Sequence, residues 1–145
     1  MSEGPPSRDA WFRQAAWVYA LYGAAYWLGG LALAGAGLGP RGLERGRAAW
    51  FVVGALFAIG FPWLLHRERP WFARWVLCRR DFARILTLLV ALRAVEVARL
   101  VRAPRVDTVP VLGVEVSMRA GAAAFGLLTL VTAVLLARAA WGRSA

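Results

Sequence analysis

The sequence contains four apolar runs, each long enough to form a membrane-crossing helix, separated by arginine-rich segments. The runs cover residues 11–38, 48–65, 82–101 and 120–140. Since an α-helix rises about 1.5 Å per residue, about 20 residues cross the roughly 30 Å hydrocarbon core of a bilayer. The sequence therefore predicts an all-α integral membrane four-helix bundle with short loops, in which residues 1–145 form a single transmembrane domain.

The composition excludes the main alternatives to a membrane protein. Hydrophobic residues make up 60% of the chain and charged residues 18%, against about 25% charged in an average soluble domain. A soluble monomer of this size would expose apolar patches larger than such proteins tolerate. The hydrophobicity also excludes a disordered chain, and the single cysteine, Cys78, excludes a disulfide scaffold.

The first run has a competing interpretation as a secretory signal peptide. Arg8 and Arg13 precede it, and Ala32-Leu33-Ala34 resembles a cleavage site. The run is too long and too rich in aromatic residues for a signal peptide, so we expect an uncleaved membrane helix.

Two prolines affect where the next helices begin and end. Pro62 lies near the end of the second run and is expected to kink or terminate that helix. Pro70 favours a third helix that begins there and continues without a break to residue 101, whereas the apolar run itself begins only at Phe82.

The segment between Pro70 and Phe82 alternates aromatic and basic residues. This pattern is typical of an interfacial helix lying on anionic lipid headgroups, or of the first turns of the third helix protruding from the membrane. The residues expected to contact headgroups are Trp71, Arg74, Trp75, Arg79 and Arg80.

The connector between the third and fourth runs is rich in β-branched residues, and Pro110 and Gly113 lie where a turn could form. It predicts either a short β-hairpin or an irregular extended loop.

The third run is interrupted by charges. Arg93, Glu96 and Arg99 form one stripe along a helix. Because charged groups are costly at membrane depth, they must face protein, water or one another. One interpretation is a self-neutralising cluster with Arg99 reaching the outer interface; the other is an anion or proton site centred on Arg93 and Glu96.

Residues at similar depth in the other helices suggest what these charges meet. A buried phenol normally needs a hydrogen-bond partner, so the sequence predicts a polar layer at the membrane midplane. Its members are Arg93, Glu96, Tyr22, Tyr26 and Thr129. The alternative is that the tyrosines and neighbouring glycines merely interlock as knobs and holes.

The reverse face of the third helix carries small residues at helical spacing, which allow close approach of a neighbouring helix. They are Thr87, Ala91, Ala94 and Ala98. A helix buried on two opposite sides can barely be enclosed by three others, so we expect a homo-oligomer or another membrane subunit as partner.

The arginine distribution predicts orientation and location. The chain has arginine but neither lysine nor asparagine, which indicates a GC-rich, bacterial genome. Ten of the eighteen arginines lie in the two termini and the second connector, and six lie in the other two connectors. The positive-inside rule then predicts a multi-pass protein of the bacterial cytoplasmic (inner) membrane with both termini cytoplasmic.

Few residues suited to catalysis are present. The serines lie outside the apolar runs, and the chain has one histidine and one cysteine, too few for a hydrolytic triad or a metal or haem site. We therefore expect no enzyme activity, cofactor or metal, and the scattered arginines offer no continuous face for nucleic acid.

We expect instead that the protein is an accessory or structural subunit of a membrane complex or homo-oligomer. The alternative is a small transporter or channel with an intramembrane Arg/Glu site. A membrane enzyme using Glu96 has the least support.

Overall fold

A computed structural model describes residues 7–38 and 47–142. Within these ranges the chain is mostly helical, with five helices and one two-stranded sheet. The elements are α1 (Arg8–Gly35), α2 (in three consecutive parts, Arg47–Ala55, Leu56–Gly60 and Phe61–His66), α3 (Pro70–Trp75), α4 (Arg79–Arg102), β1 (Thr108–Val111), β2 (Val114–Ser117) and α5 (Met118–Trp141).

Three of these helices, α1, α2 and α5, are long and apolar enough to cross a membrane. Helix α4 has the required length of 24 residues, but charged residues along it make it more polar than the other three. The helical fold and three apolar spans are therefore confirmed in the described part of the chain.

Helix α1 ends three residues earlier than its apolar run. The amide of Leu38 donates to the Leu33 carbonyl at 2.8 Å and the amide of Gly37 donates to the Ala34 carbonyl at 3.1 Å. Gly37 has φ +75°, which glycine adopts without steric cost. This Schellman motif ends the helix although the sequence remains apolar, so the expected boundary at residue 38 was wrong.

Helix α2 continues past Pro62 to His66 and is not terminated there. Proline lacks an amide hydrogen and its ring clashes with the carbonyl four residues before it. One π-helical turn, Leu56–Gly60, immediately precedes this part of the helix, and the amide of Phe61 donates to the Leu56 carbonyl. This π-helical turn is the local departure from α-helical hydrogen bonding that accompanies Pro62.

The continuous helix expected from Pro70 is divided in two. Helix α3 ends at Trp75, the backbone of Val76 leaves helical geometry (φ −125°, ψ −77°), and α4 begins after an extended Cys78 (φ −69°, ψ 151°). The prediction of one helix over residues 70–101 was therefore wrong. The break brings Arg79 to the end of α2, where it donates to two backbone carbonyls. Its third hydrogen bond is to Asp9 of α1.

The connector before α5 forms the β-hairpin. Strands β1 and β2 are antiparallel, and Val111 pairs with Val114 across a two-residue turn. Both turn residues, Leu112 and Gly113, have positive φ, which is the geometry of the type I′ turn favoured between twisted strands. The hairpin alternative is confirmed.

The helices form an antiparallel bundle in which α1 packs against α2 and α5, and α5 packs against α4. The main contact between α2 and α4 lies at the last turn of α2, where the Phe61 and Phe82 rings meet edge to face at 5.4 Å. Towards the other end of the bundle, the space between α2 and α4 is lined by aromatic side chains of α1.

Helix α4 is buried on only one side within this chain. Its core face includes Phe82, Leu86 and Val90, and it meets α5 where a Cβ on Gly126 would lie 3.2 Å from Val97 Cγ1. In the stripe of small residues, Thr87 is buried and Ala94 half-buried, but Ala91 and Ala98 are exposed. The expected burial on two opposite sides is therefore absent among the described residues of a single copy, and the small residue at the α4–α5 contact is Gly126 of α5.

Candidate functional site

Arg93 of α4 is the centre of a polar group inside the apolar part of the bundle. One of its terminal nitrogens donates to the Tyr26 hydroxyl at 2.6 Å, and the other forms an ion pair with Glu96, one turn further along α4. Its guanidinium carbon also lies 4.7 Å from the Tyr26 ring centroid. Arg93 thus links α4 to α1, and a charged donor of this kind makes a stronger hydrogen bond than a neutral one.

Aromatic rings surround Tyr26 on the sides that Arg93 leaves free. Trp50 and Phe57 of α2 lie with ring centroids 5.7 Å and 5.8 Å from it, and Phe125 of α5 lies at 6.4 Å. Tyr22 is buried and stacks on Phe125 at 5.5 Å and on Tyr26 at 6.4 Å. Side chains of α2, α4 and α5 therefore meet around Tyr26 of α1.

The ion pair is not enclosed by the chain. The Arg93 side chain is 36% exposed and that of Glu96 is 61% exposed, and Arg99 is exposed on the same helix. The pair thus lies at a lateral opening between α2 and α4, with Tyr26 at its base. Such a pair can neutralise itself, and it also presents a cation and an anion to whatever covers the opening.

The structure brings together four of the five residues expected in the polar layer. Tyr22, Tyr26, Arg93 and Glu96 are neighbours, as described above. Thr129 is buried, but its hydroxyl donates to the Phe125 carbonyl of its own helix at 2.7 Å. Its hydrogen bond therefore stabilises α5 locally and does not reach the guanidinium.

Knob-and-hole packing of aromatics on glycines is also present, between α1 and α2. The Trp50 ring of α2 lies where a Cβ on Gly30 would be, and the Trp27 ring of α1 lies where a Cβ on Gly54 would be. A Cβ on Gly23 would collide with the backbone of α2 at Phe57. Tryptophans therefore fill these glycine positions, and the tyrosines of the proposed knob-and-hole packing do not.

Arg79, at the start of α4, is a buried cation at the opposite end of the bundle. Its side chain donates to the carbonyls of Leu65 at 2.7 Å and His66 at 2.9 Å, and to the Asp9 carboxylate at 2.8 Å. The guanidinium lies 4.1 Å from the Phe12 ring centroid, and the residue is only 8% exposed. Arg79 thereby satisfies carbonyls at the C-terminus of α2 that the helix itself leaves unpaired.

Two further arginines donate hydrogen bonds to backbone carbonyls at the C-terminus of α5 in the same way. Arg80 Nε donates to the Ala140 carbonyl and a terminal nitrogen of Arg8 donates to the Gly142 carbonyl, both at 2.8 Å. We call Arg8, Arg79 and Arg80 the arginine cap. Cations near helix C-termini are also favoured by the helix dipole.

Among the residues expected to contact headgroups, Trp71, Arg74 and Trp75 are exposed, and Arg80 is exposed although one of its nitrogens is bonded. Arg79 differs, because it is buried against the ends of α1 and α2. Arg79 and Arg80 are neighbouring residues of the same type. They differ in burial because their side chains leave the first turn of α4 in different directions.

Asp81 lies beside the arginine cap, before the apolar part of α4. The Cys78 thiol donates to one carboxylate oxygen at 3.0 Å and Arg84 to the other at 2.7 Å. These contacts, with the thiol hydrogen bond as the largest contribution, lower the pKa of the Asp81 carboxyl. Asp81 therefore stays ionised at neutral pH and keeps Arg84 as its partner.

No family model, curated protein or solved structure matches this chain. Among the residues that the structure describes, no three His, Cys, Asp or Glu side chains come together as a metal site requires. The Arg93–Glu96 pair and the arginine cap are the two polar groups of the described residues that bear on function.

Proposed function

We propose that this protein is a structural subunit of the bacterial inner membrane that assembles with further copies of itself through α4. In this proposal α4 is the fourth membrane crossing of a single transmembrane domain, and both termini are cytoplasmic. The arginine cap then lies at the cytoplasmic end, as the excess of arginines there favours.

The exposure of Glu96 carries the proposal. Its side chain is 61% exposed about 9 Å before the end of α4, at 1.5 Å per residue. A charged group facing hydrocarbon costs from about 2.5 to more than 10 kcal/mol, depending on the method. Arg93 offsets part of this cost through the ion pair, but a protein surface over the opening would remove the remaining lipid contact.

A second copy of α4 fits the apolar surface beside Glu96. Ile85, Leu88, Leu92 and Val95 are all exposed and follow one another at spacings of three, four and three residues. We call these four residues the outer stripe. This spacing is the heptad pattern of two helices crossing at about 20°. Copies inserted in the same orientation pair about an axis normal to the membrane, which places each stripe residue opposite itself.

Disulfide formation tests this contact. In a Cys78→Ser background, the Leu92→Cys variant is expected to form a disulfide-linked dimer on mild oxidation in native membranes. Two cysteines bridge only when their Cα atoms lie within about 7 Å, a distance that facing residues of the outer stripe reach. Non-reducing electrophoresis measures the dimer.

The matched control is Leu127→Cys in the same background. Leu127 lies on the lipid-facing side of α5, and it and Leu92 are each 66% exposed, so the two cysteines are equally accessible. Dimers in both variants, or in neither, would count against a specific α4 contact. Cross-links from Leu92→Cys only to other membrane proteins would show a hetero-oligomer instead.

The lateral opening favours a second candidate, a transporter or channel for an anion or protons. Arg93 is 36% exposed at this opening, and an accessible intramembrane cation attracts anions. The variant Arg93→Gln with Glu96→Gln removes both charges while keeping their shapes. If the protein transports, proteoliposomes should show an anion or proton flux that this variant lacks. If it is a structural subunit, wild type and variant should both match protein-free vesicles, and the α4 cross-link should persist.

A further inference from the structure

The arginine cap borders an open cleft of about 410 Å³ at the same end of the bundle. The N-terminal residues of both α1 and α4 contribute to its wall. The lining residues are Ser7, Arg8, Asp9, Phe12, Glu68, Cys78, Arg79 and Arg80. Three arginines, one from α1 and two adjacent ones from α4, thus line one cavity.

The helix ends hold these arginines in position without using all of their donors. A guanidinium carries several N–H donors, but within residues 7–38 and 47–142 Arg80 donates only through Nε, to Ala140, and Arg8 only through one terminal nitrogen, to Gly142. The Nε of Arg8 is buried and has no protein acceptor among the described residues. Pinned arginines with unused donors are suited to bind an oxyanion at low entropic cost.

The charge of the cleft is positive. Asp9 and Glu68 offset two of the three guanidinium charges, and Asp9 is already paired with Arg79. Helices α1 and α4 both begin at the cleft, and neither Ser7 nor Cys78 caps its helix through a side-chain hydrogen bond. Each helix N-terminus adds the equivalent of about half a positive charge.

We infer that this cleft binds a phosphate group, presented by the headgroup of an anionic phospholipid or by a soluble phosphate. Arg8 and Arg80 contact the phosphate oxygens, and Arg79 forms the buried floor. The exposed Trp71 and Trp75 on α3 belong to the aromatic class that lies at headgroup depth, which is where a lipid phosphate would enter. The inference does not depend on pairing of α4 between copies.

Cys78 provides a direct measurement, because it is the single cysteine of the chain, is exposed and lines the cleft. Protein in an uncharged detergent is treated with a maleimide, and the alkylation rate is followed as phosphatidic acid is added. Diacylglycerol serves as the phosphate-free lipid control, and inorganic phosphate and glycerol 3-phosphate are the soluble probes. Phosphatidic acid is expected to slow alkylation and diacylglycerol to leave it unchanged. Slowing by the soluble probes at similar concentrations would identify a soluble phosphate as the ligand.

Removing two cleft charges tests the assignment of residues. The variant Arg8→Gln with Arg80→Gln should raise the half-saturating concentration of the phosphate probe about tenfold or more, since it removes two charged hydrogen-bond donors to the phosphate. Arg74→Gln, on exposed α3 outside the cleft, should change it less than about twofold. Equal effects of the two changes, or no protection by any phosphate probe, would overturn the inference.

A second variant keeps the test decisive if the double variant does not fold. Glu68→Gln removes a negative charge from the cleft and should lower the half-saturating concentration about threefold, as expected for a partly screened neighbouring charge. Glu115→Gln, on the hairpin at the opposite end, makes the same change in net charge and should have no effect. Identical results for these two variants would also overturn the assignment.

Discussion

Replacing Arg79 with methionine is expected to lower the free energy of unfolding by about 2–6 kcal/mol, because each of the two helix-end carbonyls that lose their charged donor costs about 1–3 kcal/mol when left unpaired. Methionine retains the apolar contact with Phe12 but leaves the Leu65 and His66 carbonyls without their donor. The Asp9 ion pair adds little, because the Asp9 side chain is 71% exposed and is screened by water. SDS-induced unfolding in mixed micelles, followed by circular dichroism, measures the change.

Arg80→Met is the matched control for this prediction. Arg80 is the next residue in α4, is exposed and donates to one helix-end carbonyl, so its loss should cost about 1 kcal/mol. Arg79→Lys should be intermediate, because one ammonium cannot reproduce the planar fork that reaches three acceptors. If Arg79→Met and Arg80→Met unfold at the same SDS fraction, Arg79 does not hold α2 to α4.

Gly23→Ala is expected to destabilise the bundle by about 1–3 kcal/mol through overpacking. The added methyl would collide with the Phe57 carbonyl and lie 2.8 Å from the Ala58 amide nitrogen. These are backbone atoms of α2, which cannot move aside as a flexible side chain can, so α1 and α2 must separate. The same SDS titration measures the loss.

Gly29→Ala provides the control on the same helix. A Cβ at Gly29 meets nothing within 4 Å, and alanine in a helix interior is favoured over glycine by about 0.5–1 kcal/mol. The two substitutions are chemically identical and are expected to have opposite signs. A stabilisation of equal size at both positions would show that helix propensity, and not the α1–α2 contact, determines the outcome.

Part of the polar group was predictable because its chemistry is local and periodic. Helical spacing places Glu96 one turn after Arg93, and buried tyrosines require donors or acceptors, so Tyr22, Tyr26, Arg93 and Glu96 could be grouped from the sequence. The prediction failed for Thr129, because a threonine in a helix can satisfy its hydroxyl on the carbonyl four residues before it. Periodicity cannot show which of these two bonds a hydroxyl makes.

The long apolar runs by themselves determined that the chain is mostly helical and that α1, α2 and α5 can cross a membrane, and Pro110 and Gly113 indicated a turn before α5. These properties follow from residue type and spacing along the chain. Only the tertiary structure decided that Arg79 is buried while Arg80 is exposed, that the helix breaks between Trp75 and Arg79, and that α4 leaves its outer stripe uncovered. Each of these depends on which helix end or surface lies opposite a residue, and contacts between distant parts of the chain have no local signature in the sequence.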